Sequence, residues 1–125
     1  MPKTAIVAPD APAAIGPYSA ATQAGNTVYV SGQLPADPAT GAFPADIAGQ
    51  TRQSLTNVKA ILAAAGLTMN DVVKTTVYLS DIADFAAMNE VYAQFFQQPY
   101  PARSAVQVAK LPKDVLVEVE AIAVL

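Results

Sequence analysis

Hydrophobic positions recur along this chain with two different spacings. Over Val72 to Leu79 they alternate: Val73, Thr75, Val77 and Leu79 on one side, Val72, Lys74, Thr76 and Tyr78 on the other. That two-residue period predicts a strand. Over 46–65 the spacing lengthens to three and four, with Ile47, Leu55, Val58, Ile61 and Leu62 on one stripe, Asp46 before it and Gly66 after it. An aspartate cap, a helical stripe and a terminal glycine predict one helix. A second helix is predicted from a cap at Ser80 or Asp81 to about Phe96, with Ile82, Phe85, Met88, Tyr92 and Phe95 or Phe96 inward and Asn89 at the stripe's edge. Arg52, Gln53, Asn57 and Lys59 fall off the first helix's stripe and read as a solvated face.

Shorter runs complete the pattern. Lys3 to Val7 reads as a first strand. Ser19 to Ala24 and Thr27 to Gly32 flank Gly25-Asn26, a pair suited to a two-residue hairpin turn. Three prolines and Gly16 make residues 8–17 an extended loop, and Pro35 to Pro44 is a second loop. The last quarter holds two further β-branched runs, Pro101 to Val108 and Val115 to Val124, on either side of Leu-Pro-Lys-Asp. These read as a hairpin. In the final run Val115, Val117, Val119, Ala121 and Ala123 share one face, and Glu118 and Glu120 lie on the other among Leu116, Ile122 and Val124. Pairing Val106 with Val117 or Val115 would set Arg103 on the same side as both glutamates.

The predicted order is thus β-β-β-α-β-α-β-β, an α+β domain over residues 1–125, with two helices on one face of a mixed six-stranded sheet. The other face is apolar apart from its two glutamates and is expected to be buried against another copy.

Composition sharpens this. The 125 residues are 53% hydrophobic and 14% charged, with a mean hydropathy of +0.31. Charged residues usually make up about a quarter of a soluble chain. No run approaches the about 20 apolar residues of a membrane helix, so the excess points to an oligomer. A net charge of −3 without a basic cluster argues against a nucleic-acid surface. Cysteine and histidine are both absent, which removes disulfides, the usual zinc sites and thiol or imidazole nucleophile pairs. Met1-Pro2-Lys3-Thr4 has no secretory pattern, and a cytoplasmic location is expected.

Several segments are recognisable in order and at near-constant spacing. They are Ala13-Ala14-Ile15-Gly16-Pro17-Tyr18-Ser19, Val30-Ser31-Gly32-Gln33, Asn57-Val58-Lys59-Ala60-Ile61-Leu62, Val73 to Leu79, Asp84 to Asn89, Pro101-Ala102-Arg103-Ser104 and Lys110 to Asp114 with Val117 to Ala123. Over its whole length the chain resembles the Rid (reactive intermediate deaminase, YjgF) family, and most closely the RidA branch. The resemblance implies a chorismate-mutase-like fold and a homotrimeric barrel with ligand sites in the clefts between subunits. It implies cofactor-independent hydrolysis of enamine and imine acids, such as 2-aminoacrylate and 2-iminobutyrate, to 2-keto acids and ammonia. By position, Arg103 matches the arginine that holds the substrate carboxylate and Glu118 the glutamate beside the reacting carbon and its water. Tyr18, Ser31, Gly32, Asn89 and Ala105 match lining positions.

Two departures are visible: Ala105 stands where many RidA members carry cysteine, and the loop Gln97-Gln98-Pro99-Tyr100 is short. Two other functions are carried alongside. One is a trimeric sensor that binds small keto or amino acids without turnover. The other is an endoribonuclease or translation inhibitor, an activity attributed to some relatives, against which the missing histidine and the acidic balance weigh.

Overall fold

A computed structural model describes residues 2–125; the N-terminal pattern that starts at Met1 falls in part outside them. Six strands form one sheet: β1 (Thr4–Ile6), β2 (Ala21–Ala24), β3 (Thr27–Gln33), β4 (Val72–Leu79), β5 (Ala102–Gln107) and β6 (Val117–Val124). Their spatial order is β1-β2-β3-β6-β4-β5. Two helices, α1 (Ile47–Ala64) and α2 (Phe85–Tyr92), cover one face. The element order and the α+β class are those expected from the sequence.

The local signals act at the expected positions. Asp46 caps α1 by accepting from the Gly49 N–H at 2.8 Å. Gly66 takes φ +77 past its end and returns its N–H to Ala63 O. Gly25, at φ +60, turns β2 into β3. Leu55, Val58, Ile61 and Leu62 are fully buried on α1, against Val28, Val77, Val117, Val119 and Ala123 of the sheet. Each such Leu, Ile or Val stabilises by about 1.5–3 kcal/mol.

The last-quarter hairpin does not form. β6 lies between β3 and β4, antiparallel to both, and β5 pairs with β4 in parallel. The reason lies in the burial each strand can use. β6 has every second side chain fully buried and fits the middle of a sheet, whereas β5 is mostly exposed and fits an edge. Leu-Pro-Lys-Asp still turns, with Lys113 and Asp114 both at positive φ, but it carries the chain across the end of β4. There Val108 N–H donates to Leu79 O and Ser80 N–H to Leu116 O.

Three smaller expectations change. A register shift between Val72 and Lys74 buries Val72 and exposes Val73, the reverse of strict alternation. The second helix is shorter than its pattern: a 3-10 turn at Ile82–Asp84, capped by Asp81, precedes α2 and leaves Ile82 exposed. Asn57 is not solvated. It is 1% exposed, and its Nδ2 donates to Leu34 O at 3.1 Å and Ala36 O at 2.9 Å. Two turns earlier Gln50 donates to Pro44 O and accepts from Leu116 N–H. A row of buried polar side chains on α1 thus ties down two loops whose carbonyls and amide would otherwise be buried unpaired.

Asn57→Ala strips two carbonyls of their donor and is expected to destabilise the fold by about 2 kcal/mol. Urea unfolding measures this; an unchanged midpoint would mean that the 34–36 loop holds its shape unaided.

Candidate active site

The residues singled out from the sequence fall into two groups on opposite faces of the sheet. In the parallel β4–β5 register Arg103 lies beside Thr75 and Ala105 beside Val77. Thr75 and Val77 are buried under the helices, so Arg103 and Ala105 belong to the helix-covered face. In the β4–β6 register Glu118 lies beside Tyr78 and Glu120 beside Thr76, on the uncovered face. A same-side arrangement of Arg103 and the glutamates, open from the sequence, would have needed a β5–β6 hairpin in one particular register. With β4 between those strands, the parity puts them on opposite sides.

Arg103 is held by α2. Phe85, Asn89 and Tyr92 recur at four and three residues and share one helix face. The Arg103 Cζ lies 4.7 Å from the Tyr92 ring centroid and 5.4 Å from that of Phe85, close enough for cation–π attraction. Nη1 donates to Asn89 Oδ1 at 2.7 Å. Tyr92 is itself fixed by a 2.6 Å hydrogen bond between its hydroxyl and that of Thr75. Burial pushes the Tyr92 phenol up, and Arg103 opposes that shift. The result is a guanidinium oriented by an amide and two rings, at the edge strand, with no carboxylate in ion-pair contact among the described residues. Ala105, next on the same row, is half-buried against the core.

Glu118 is placed by glycine. β3 and β6 pair regularly from Thr27 to Val30, and the register shifts before Gln33. The bulge brings Gly32 under Glu118. A Cβ at position 32 would land on the Glu118 carboxyl group, 2.9 Å from its Cδ, so only glycine leaves that space. Ser31, inside the bulge, donates its hydroxyl to Ser19 O at 2.6 Å and its N–H to Ala20 O, tying the strand to the 12–20 loop. Tyr18 of that loop is half-exposed. With Gly32, Gln33, Leu34, Phe43 and Lys113 it lines a cavity of about 300 Å³. Glu118 is half-buried, and burial first, then the charge of Glu120, pushes its carboxyl above the usual carboxylate range. That direction makes it a better proton acceptor than a freely solvated carboxylate.

Each half has one chemical capacity: Arg103 can grip a carboxylate as a fork, and Glu118 can hold and deprotonate water. Among the described residues no group of three or more His, Cys, Asp or Glu could hold a metal ion, and no helix is long and apolar enough to cross a membrane.

Sequence reasoning missed Lys113 as a cavity residue and Tyr78 as the neighbour of Glu118. Both depend on which strands adjoin. The Phe85–Asn89–Tyr92 face was readable from spacing alone, but its purpose becomes visible only with Arg103 above it.

Comparisons with known proteins agree with this architecture. The family model described as Endoribonuclease L-PSP matches residues 8–125. A RutC family protein of Pyrococcus horikoshii is 58% identical over 122 residues, covering 97% of each chain. The 2-iminobutanoate/2-iminopropanoate deaminase of Escherichia coli K12 is 56% identical over 127 residues, covering 99% of this chain and 98% of its own. The crystal structure of E. coli TdcF with bound serine superposes with a TM-score of 0.94 at 54% identity over 98% of both chains. With a matching family model over nearly all its length and relatives of this similarity, the chain belongs to the YjgF/RutC/Rid family.

Proposed function

We propose that this protein is a hydrolytic deaminase of small enamine and imine acids, releasing a 2-keto acid and ammonia without a cofactor. The observation that carries the reading is the 56% identity, over nearly the whole chain, to a 2-iminobutanoate/2-iminopropanoate deaminase. The geometry supports it with one carboxylate-gripping side chain and one proton-exchanging side chain, each held ready and neither neutralised by the other.

In this reading Arg103 takes the substrate carboxylate through its outward nitrogens, Nη1 being occupied by Asn89. That fixes the imine carbon in front of Glu118 and turns a random encounter with water into a positioned one. Glu118 accepts a proton as the water oxygen bonds to the imine carbon. That proton passes to the nitrogen, giving a carbinolamine; the hydroxyl proton then follows to the same nitrogen as the C=O bond forms and the C–N bond breaks, so that ammonia leaves the 2-keto acid. General acid–base assistance of about 10²–10⁴-fold suffices, because imines hydrolyse readily in water. Tyr18, Ser31 and Gly32 line the Glu118 side; Asn89 and Ala105 line the Arg103 side.

One chain cannot bring its own Arg103 to its own Glu118 through the sheet. The site therefore takes Arg103 from one copy and Glu118 from the next, and a homotrimer with three such clefts satisfies every copy. The uncovered face suits this packing: Tyr29 and Val106 are exposed on it and Ile122 and Val124 half-covered.

A binding protein without turnover is the second reading, favoured by the amino acid bound in the TdcF structure. An anionic Glu118 facing an anionic ligand counts against it, since like charge costs affinity. RNA cleavage has less support, with 7 Lys and Arg against 10 Asp and Glu and no histidine.

The deciding assay generates 2-aminoacrylate in situ with a serine or threonine dehydratase. Semicarbazide intercepts the imine, and the keto acid formed in competition is read with and without this protein. Diversion to keto acid, nearly abolished in Arg103→Ala with the trimer retained on light scattering, is the expected result. No diversion, with small acids still binding by calorimetry, would favour the sensor. Glu118→Gln should keep ligand affinity and lose about 10²–10⁴-fold in kcat; an unchanged kcat would remove Glu118 from the mechanism. Gly32→Ala displaces the same carboxylate without removing it and should cost about 10² in kcat, which steady-state kinetics on the folded trimer would show.

A further inference from the structure

The uncovered sheet face holds a second carboxylate that the proposed reaction does not use. Glu120 lies two residues beyond Glu118 on β6, on the same face, and is half-buried. Neither glutamate has a lysine or arginine at ion-pair distance among the described residues; the ion pair found there, Lys110–Asp114, is elsewhere. Lys74, on this face of β4, donates instead to Thr75 O and Thr76 Oγ1. What Glu120 has is Tyr78. That residue stands beside Glu118 in the register and leans diagonally, so that its hydroxyl donates to Glu120 Oε1 at 2.6 Å.

We propose that Glu120, pinned by Tyr78, is a positioning residue whose fixed charge makes Glu118 the stronger base toward the attacking water. This rests on the deaminase reading of Glu118. The Tyr78 phenol is pushed up to about 12, first by its hydrogen bond to Glu120, then by burial and the two carboxylates. It therefore stays a donor at any working pH. Burial is the larger influence raising Glu118, and Glu120 adds to it. The other groups on this side do not substitute. β6 brings Glu120; β4 brings Tyr78 and the self-satisfied Lys74; β3 brings Tyr29, beside Ile122; β5 brings only Ala102, Ser104 and Val106. Tyr18 and Lys113 face the cavity behind Gly32. A second copy adds its Arg103, which favours the charged form of Glu118. Glu120 counterbalances that cation so that Glu118 is not reduced to a spectator ion. The test must follow Glu118 itself.

Two titrations on the full-length protein test this. One is kcat/KM for imine hydrolysis against pH. The other is the side-chain carboxyl carbon shift of Glu118 against pH, by NMR on the ligand-free protein. A base must be ionised, so kcat/KM falls as pH drops through the Glu118 titration. Glu120→Gln removes the like charge and should move both midpoints to lower pH. Tyr78→Phe frees the Glu120 carboxylate to swing away and should move them the same way by less. The double variant should coincide with Glu120→Gln, because the hydroxyl acts through the carboxylate. A purely structural Glu120 would lower the melting temperature or the trimer fraction and leave both midpoints in place; that result overturns the proposal. If Glu120→Gln does not fold, Tyr78→Phe decides instead: midpoints moved to lower pH support the proposal, and unmoved midpoints overturn it. The carbon titration needs no turnover, so an inactive protein with a shifted Glu118 midpoint fails the deaminase reading alone.

Discussion

Strand β6 must satisfy two surroundings at once, and most of the molecule follows from how it does so. Val117, Val119, Ala121 and Ala123 face the helices and are buried. Glu118 and Glu120 face the other way. Both edges of the strand are paired, to β3 and to β4, so it has no freedom to slide. A slip of one residue would drive two carboxylates into the core and four apolar side chains out of it. The cost of that exchange fixes the register, and the register fixes where Glu118 meets the Gly32 bulge and where Tyr78 can reach Glu120.

Within a single chain the sheet also acts as an electrical partition. Arg103 and Glu118 belong to the same chain and carry opposite charge, and on one face they would form an ion pair. An ion pair would occupy both the guanidinium fork and the carboxylate oxygens. Separated by the sheet, each meets a different support. Arg103 rests on Tyr92, Phe85 and Asn89; Glu118 lies over a glycine, beside another anion. Neither support neutralises the side chain it holds.

Much of this was legible in the sequence, and the boundary is a physical one. Features governed by neighbours along the chain were readable: the Asp46 cap, the Gly25-Asn26 turn, the α1 stripe and the alternation of β6. Features governed by partners distant in sequence were not. The turn at Leu111–Asp114 was evident, but the strands it joins are separated by β4, and no local pattern distinguishes a hairpin from a connection that steps over a neighbour. The registers that would have set Arg103 beside the glutamates needed that hairpin, and with β4 between the two strands neither register forms. Asn57 was misread for a related reason: amphipathic spacing grades side chains by polarity, and a buried amide serving two loop carbonyls looks the same as a solvated one. The candidate residues themselves were recognisable from the ordered motifs, whereas Tyr78 required the β4–β6 register.

In the proposed trimer, the division of Arg103 and Glu118 between faces would have a genetic consequence. When a site borrows its arginine from one copy and its glutamate from the next, inactivity need not be the property of a chain. Take a lesion at Arg103 in one gene copy and at Glu118 in another, each giving an inert homotrimer. Co-assembled, a ring of three that contains both kinds of chain always includes one junction where an undamaged arginine faces an undamaged glutamate. Two null alleles of such a gene would complement each other, and a single lesion of either kind would act in mixed rings according to dosage. The unit on which selection acts is then the contact between copies rather than the folded chain.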